Sequence, residues 1–161
     1  MTERFEVARF IPFPAEQIFA VLRDPEGHVA IDSTGMLQSS TGEPVNAVGD
    51  RFVVHMDRES LNDYPLGKYD VEVEIITYEP NREIAWTIHG QIKPSIGHVY
   101  GYQLEPAEHD GVAGTTVRSY YDWSRITQEW RDANIFPIIP EVGLRATLGI
   151  LERTVARQNA T

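Results

Sequence analysis

The short segment DPEGHVAIDS, residues 24–33, places a histidine and a carboxylate where they could transfer a proton. His28 and Asp32 are four residues apart, so both would lie on the same face of a helix. An aspartate beside a histidine is the start of a general acid–base pair, because imidazole titrates near neutral pH. These two residues are therefore the candidates for a catalytic role.

The same pair also has a purely structural interpretation. It follows Asp24-Pro25, which stops a helix, and it precedes a Ser-Thr-Gly turn that its polar groups could cap. The sequence supplies no nucleophile and no third group that would orient the histidine. The structural interpretation is therefore favoured, and the catalytic one stays open.

The other histidines do not predict a metal site. His55 and Asp57 share the predicted solvated face of a strand, while His89 and His98 flank residues 90–97. The five histidines show no HxH or HExxH spacing, and the chain has no cysteine. We expect no metal, and without a glycine-rich phosphate loop we expect no cofactor.

Aromatic side chains with polar tips recur on the apolar faces of the predicted strands. A dry core would favour Leu, Ile and Phe, whereas a few hydroxyl and indole groups in an apolar pocket orient a small ligand. Ordinary core packing remains the alternative for each of these residues. The predicted ligand-binding residues are Phe19, Phe52, Val54, Trp86, Tyr100, Tyr102, Tyr121, Leu144 and Leu148.

Hydrophobic periodicity predicts the elements that would position these side chains. Alternation of period two predicts strands, and an apolar stripe at Leu144, Leu148, Leu151 and Val155 predicts a long amphipathic helix. The order is strand, two short helices, about six strands and a long helix, which is an α+β chain with an antiparallel sheet. The predicted strands are 3–11, 50–57, 67–80, 81–90, 98–106 and 115–124, and the predicted helices are 14–24, 26–32 and a segment from about residue 140.

Composition narrows the range of partners. The 161 residues carry 24 acidic and 14 basic side chains, a formal net charge of −10, which disfavours nucleic acid and anionic membrane surfaces. The chain shows no apolar run of about 18 residues and no signal-peptide pattern, so we expect no membrane insertion. We expect one domain over residues 1–161, in the cytoplasm, with a small hydrophobic molecule as partner.

Four segments carry a resemblance to a known family. They are IPFPAEQIFAVLRDPEGHVAIDSTG, GDRF at the start of a strand, YEPNREIAWT, and TTVRSYYDWS before the last helix. In their order they resemble the START-like superfamily, and more narrowly its polyketide cyclase/dehydrase and lipid-transport group of small bacterial proteins. The resemblance implies a helix-grip fold, in which a curved seven-stranded antiparallel sheet surrounds the long C-terminal helix and two short helices follow the first strand.

The resemblance also implies two functions. The first is binding of a lipid-like or aromatic, polyketide-like ligand in a cavity between the sheet and the C-terminal helix. The alternative is an aromatase/cyclase-type enzyme that uses His28 and Asp32 in the same cavity. Residues 123–139 form a connector that is longer and more aromatic than a minimal family connector. Three interpretations stay open: a lid over the cavity, part of the core, or an interface with a partner such as a second copy of the chain in a homodimer.

Overall fold

The computed structural model describes residues 2–61, 66–91 and 93–160, and in them an antiparallel sheet of seven strands packs with four helices. The predicted order of a strand, two short helices, a run of strands and a long helix is confirmed, and a third short helix, before the long one, is an addition to it. The strands are β1 (Arg4–Ile11), β2 (Leu37–Thr41), β3 (Arg51–Asp57), β4 (Lys68–Glu79), β5 (Glu83–His89), β6 (Val99–His109) and β7 (Val112–Asp122). The helices are α1 (Ala15–Leu22), α2 (Pro25–Ile31), α3 (Gln128–Asp132) and α4 (Glu141–Gln158).

The strand order is β1-β7-β6-β5-β4-β3-β2, so β2 to β7 form a continuous meander and β1 joins its far edge. The pairing register between β4 and β5 shifts between Ile75 and Thr77. Such a bulge bends a strand and increases its twist, which helps the sheet to curve. The inner face of the sheet is therefore concave and can surround a helix.

The sequence periodicity did not predict two elements. The strand β2 reads LQSST and has one apolar side chain, so it carries no alternating pattern. It lies at the sheet edge and pairs only with β3, where polar residues also limit aggregation. The short helix α3 lies within the aromatic connector, where no residue of the helix is buried.

The break at Asp24-Pro25 turns the chain from α1 into α2. The Asp24 carboxylate accepts a hydrogen bond from the Glu26 backbone N–H at 3.0 Å, which caps α2. The two helices approach so closely that a Cβ atom on Gly27 would lie 1.9 Å from the Val21 carbonyl oxygen. The corner therefore requires glycine at this position, and it carries His28 toward the inside of the sheet.

The long helix α4 packs into the concave face of the sheet. Its predicted stripe, Leu144, Leu148, Leu151 and Val155, is buried. On the rim, Arg9 of β1 donates a hydrogen bond to Glu152 of α4 at 2.9 Å, which explains the polar residue in an otherwise apolar strand face. The helix packs against β1, β7, α1 and α2, so it closes one side of the structure.

Candidate functional site

A cavity of about 170 Å³ lies between the concave face of the sheet and the start of α4. Its walls come from α2 and the turn after it, from the middle strands, and from residues 139–147. Most of the side chains that line it are apolar. The residues that line it are His28, Ile31, Asp32, Ser33, Thr34, Met36, Leu37, Val54, Met56, Val71, Val73, Trp86, Ile88, Tyr100, Gly101, Tyr102, Ser119, Tyr120, Ile139, Pro140, Gly143, Leu144 and Thr147.

The structure brings seven of the predicted site residues to this cavity and places four elsewhere. Those at the cavity are His28, Asp32, Val54, Trp86, Tyr100, Tyr102 and Leu144. Those in the surrounding core, fully buried and away from the cavity wall, are Phe19, Phe52, Tyr121 and Leu148. Phe19 packs edge-on against Tyr78 at 5.5 Å, for example, so its ring belongs to the packing beneath α1.

Other lining residues were not among the predicted ligand-binding residues. Met56, Val71, Val73 and Ile88 already fell on inward strand faces, so the alternation could have identified them. Ser33 and Thr147 could not be identified in this way. They are far apart in sequence, and only the docking of α4 brings them together.

His28 is a neutral histidine buried in the cavity wall. Its Nε2 atom lies 2.8 Å from the carbonyl oxygen of Leu22, the last residue of α1, and this oxygen can only accept. Nε2 therefore carries the proton. Burial lowers the pKa of His28 to about 4, so the ring is uncharged at neutral pH.

Asp32 serves the turn that follows α2. Its Oδ1 atom accepts hydrogen bonds from the Thr34 backbone N–H at 2.9 Å and the Thr34 hydroxyl at 2.7 Å. Its Oδ2 atom accepts from the Leu37 backbone N–H at 3.1 Å. Both oxygens of Asp32 are thus engaged with the turn, whereas His28 bonds to α1. This geometry fits the structural interpretation of the pair, with Asp32 as the cap of the corner.

An aromatic group forms the floor of the cavity. The Trp86 ring is nearly parallel to Tyr100, with centroids 6.0 Å apart, and it stacks on Tyr102 at 5.9 Å. His28 contacts the same indole at 4.6 Å. Burial raises the pKa of both Tyr100 and Tyr102 far above the ordinary value, so their hydroxyl groups stay neutral.

A small set of hydroxyl groups joins the two sides of the cavity wall. The Ser33 hydroxyl lies 3.2 Å from the Gly143 carbonyl oxygen, and the Thr147 hydroxyl lies 2.9 Å from Ser33 and 3.0 Å from that carbonyl. The turn after α2 is thereby tied to the first turns of α4. An opening of the cavity between these two elements would break this contact.

The connector contributes to the core and to the cavity wall. The Trp130 indole N–H donates to the Pro94 carbonyl oxygen at 2.8 Å, and Phe136 packs edge-on against both Trp130 and His98. Trp123 is buried against Tyr121. Ile139 and Pro140 then line the cavity. The connector thus combines core packing with part of the cavity wall.

His98 lies behind the cavity, next to Tyr100 and Tyr121. Its Nδ1 atom is 2.8 Å from the Tyr121 hydroxyl, and its Nε2 atom is buried without a hydrogen-bond partner. Burial lowers the pKa of His98 to about 4. His98 therefore acts as a neutral core residue that fixes the Tyr121 hydroxyl.

Two further histidines lie on the outer face of the sheet. His55 lies between the Thr41 hydroxyl at 2.8 Å and Asp70 at 2.7 Å, while His89 lies between Ser95 and Glu74, both at 2.7 Å. Their strand neighbours Val54, Met56 and Ile88 line the cavity, so the histidines point to the opposite side. They crosslink the outer surface and are separated from the cavity by the sheet.

Two features of the described residues bear on metal binding and on membrane insertion. Among residues 2–61, 66–91 and 93–160, no three or more His, Cys, Asp or Glu side chains are grouped as metal ligands. Within the same residues, no helix has the length and apolar character to cross a membrane.

The comparisons with known proteins bear on the fold. No protein-family model matches this chain. The search of curated proteins finds no significant match. Solved structures do match, over almost the whole chain.

Three of these solved structures illustrate the match. Protein DR_A0006 from Deinococcus radiodurans is 24% identical, with 93% of this chain and 94% of that chain covered at a TM-score of 0.61. Protein Ms6760 from Mycobacterium smegmatis is 14% identical, with coverages of 98% and 94% and a TM-score of 0.66. The Aha1 dimer from Colwellia psychrerythraea is 18% identical, with coverages of 94% and 95% and a TM-score of 0.58.

At such identities these structures define the fold alone. The chain therefore has a helix-grip fold, which confirms the fold that the sequence resemblance implied. A fold of this kind does not by itself assign a ligand or a reaction.

Proposed function

We propose that this protein binds a small, neutral, largely apolar ligand with one or two aromatic rings in the cavity beneath α4. The observation that carries the proposal is the cavity itself, at about 170 Å³ with mostly apolar walls. An apolar cavity of roughly 150 Å³ holds a benzene ring, whereas sites for drug-sized ligands are roughly 300–1000 Å³. The volume therefore favours a small aromatic molecule over a long lipid chain.

The charges at the cavity support a neutral ligand. Among the lining residues that the structure describes, Asp32 is the one charged side chain, and its carboxylate is engaged with the turn. His28 and the two tyrosines are uncharged at neutral pH. Because an anion would enter without a counter-charge on these walls, its desolvation cost would not be offset.

Binding can be tested with naphthalene as the probe and a pair of matched variants on β4. Val73 lines the cavity, whereas Ile76 on the same strand is exposed and lies outside it. Val73→Phe should fill the space and weaken naphthalene binding by about tenfold or more, because the ring and the ligand compete for one volume. Ile76→Phe should bind like the parent chain.

Isothermal titration calorimetry measures both affinities, and near-ultraviolet circular dichroism checks that each variant is folded. Equal loss of binding in the two variants, or full binding in folded Val73→Phe, would contradict the proposed site. Native mass spectrometry of freshly purified protein provides an independent test, since a retained small molecule would reveal its class.

A cyclase-type activity on a polyketide-like substrate is the second candidate, and the position of His28 in the cavity wall supports it. An uncharged imidazole can act as a general base. The Asp32 carboxylate serves the turn, so this activity would depend on His28 and on substrate shape. Turnover of a cyclisable aromatic polyketide analogue that is unchanged in a folded His28→Phe variant would exclude this role.

We further propose that residues 1–161 act as one ligand-binding domain in the cytoplasm, without nucleic acid as a partner. The formal charge of −10 supports the exclusion of nucleic acid. For a homodimer, the support is limited to the Colwellia psychrerythraea protein, whose solution structure is of a dimer. Size-exclusion chromatography over a range of concentrations tests this arrangement.

A further inference from the structure

We propose that His28 selects ligands that carry a phenol-type hydroxyl group, by accepting a hydrogen bond from that hydroxyl at its Nδ1 atom. This inference rests on the proposed function, since it assumes that the ligand occupies the cavity. It adds the chemical class of the ligand and names the residue that determines specificity.

The hydrogen bond from His28 to α1 fixes which nitrogen is available. The Leu22 carbonyl oxygen has no proton to give, so the Nε2 atom at 2.8 Å must be the donor. In a neutral imidazole the other nitrogen then has a lone pair and no proton. Nδ1 is therefore an acceptor, and Asp24, the charged group that acts on this ring, lies outside the cavity wall.

Nδ1 belongs to a side chain that lines the cavity. Three side-chain atoms in the described part of the chain are fully buried without a hydrogen-bond partner, and Nδ1 of His28 is not among them. This nitrogen thus keeps some accessible surface although the residue is only 8% exposed. Because His28 is one of the residues that line the cavity, we infer that this remaining surface faces the ligand space.

The structural role of His28 explains why Nε2 donates a hydrogen bond to α1. It gives no function to the acceptor Nδ1. The imidazole also packs between Phe52 and Trp86, whose rings lie 5.0 Å and 4.6 Å away, and this packing does not need an acceptor at Nδ1. An apolar ligand that covered this acceptor would leave it without a partner at a cost in free energy, whereas a ligand hydroxyl would satisfy it. The stacked Trp86 and Tyr100 rings favour a flat molecule next to this acceptor.

Three probes of similar size separate the alternatives: 2-naphthol, naphthalene and 2-naphthoate. We expect 2-naphthol to bind about tenfold more tightly than naphthalene at pH 7, as one buried hydrogen bond provides. The anion 2-naphthoate should bind more weakly than naphthalene. In His28→Phe the preference for 2-naphthol should disappear, while His55→Phe, on the outer face of the sheet, should retain it.

A second measurement does not depend on the folding of a variant. In the parent protein with ¹⁵N-labelled histidine, the Nδ1 resonance of His28 should move upfield with 2-naphthol and stay in place with naphthalene. That shift reports directly on a hydrogen bond to the lone pair.

The outcomes distinguish the two proposals. If neither naphthalene nor 2-naphthol binds, the proposed function fails. If both bind equally, if the preference persists in folded His28→Phe, or if the Nδ1 resonance does not move, the role of His28 is overturned and cavity binding stands.

Discussion

At the residue scale, burial rather than pairing controls the ionisation of the two inner histidines. The pKa values of His28 and His98 are both lowered to about 4, because neither ring can be hydrated when it is charged. Asp24 opposes this effect at His28, but desolvation is the larger cause. Both histidines therefore remain neutral while the unfolded chain takes up protons.

This difference predicts that the protein loses stability in mild acid. A histidine with a lowered pKa in the folded state contributes fully above its unfolded pKa of about 6.5, and the contribution is lost as the pH falls toward 4. Between pH 7 and pH 5 the free energy of unfolding should fall by about 2 kcal/mol for each histidine.

Urea unfolding at pH 7, 6 and 5 measures this fall. A parallel series with His98→Phe should show a smaller dependence on pH, while Ile76→Phe, which changes no titratable group, should behave like the parent chain. A free energy of unfolding that does not change between pH 7 and pH 5 would contradict the buried neutral state of both rings.

At the element scale, the position of the cavity depends on the two short helices and on α4. A glycine permits the close approach of the short helices, and an apolar stripe holds α4 against the sheet. Gly27 permits the close crossing of α2 over the end of α1, where a Cβ atom would lie 1.9 Å from a backbone oxygen. Gly149 in α4 is different, since an added Cβ atom would meet no atom within 4 Å. Glycine is therefore required at position 27 in α2, whereas position 149 in α4 has room for a side chain.

Alanine at these two positions should change stability in opposite directions. Gly27→Ala should lower the free energy of unfolding by roughly 3 kcal/mol or more, since the backbone of the corner must move. Gly149→Ala should raise it by about 0.5–1 kcal/mol, because alanine loses less entropy in a helix.

Thermal unfolding followed by circular dichroism provides both values. Because the corner carries His28, Gly27→Ala should also weaken naphthalene binding, whereas Gly149→Ala should leave it unchanged. A Gly27→Ala variant with parental stability would show that the corner can adjust without cost.

At the scale of the whole molecule, one apolar stripe holds the sheet and α4 together around a partly empty space. Leu148 is 1% exposed at the centre of this interface, one turn after Leu144 at the cavity wall. The fold therefore has a fully packed part beneath α1 and a cavity at the start of α4. Loss of packing in the fully packed part should lower the stability of the entire structure.

Leu148→Ala should lower the free energy of unfolding by about 2–5 kcal/mol, the range for truncation of a buried leucine. Val142→Ala, in the same helix but 63% exposed, should change it by less than about 0.5 kcal/mol. Chemical denaturation followed by both tryptophan fluorescence and far-ultraviolet circular dichroism tests this. Separate transitions for the two probes would show that α4 and the sheet do not unfold as one unit.

The sequence alone determined most of the fold because its signals are local. Alternation in β4, the stripe from Leu144 to Val155, and the Asp24-Pro25 stop each depend on residues a few positions apart. The two missed elements lack such signals: β2 is a polar edge strand that exists because β3 pairs with it, and α3 is a short helix of five residues in which no residue is fully buried. The resemblance to the helix-grip fold supplied the arrangement that periodicity could not.

The tertiary structure decided which inward side chains line a cavity and which fill the core. Tyr102 and Tyr121 both alternate inward, but Tyr102 lines the cavity while Tyr121 bonds to buried His98. Alternation determines which face of the sheet a side chain lies on. The distance from that face to α4 determines whether the side chain meets a cavity or other core residues. The separate partners of His28 and Asp32, and the contact of Ser33 with Thr147, depend in the same way on how distant segments pack.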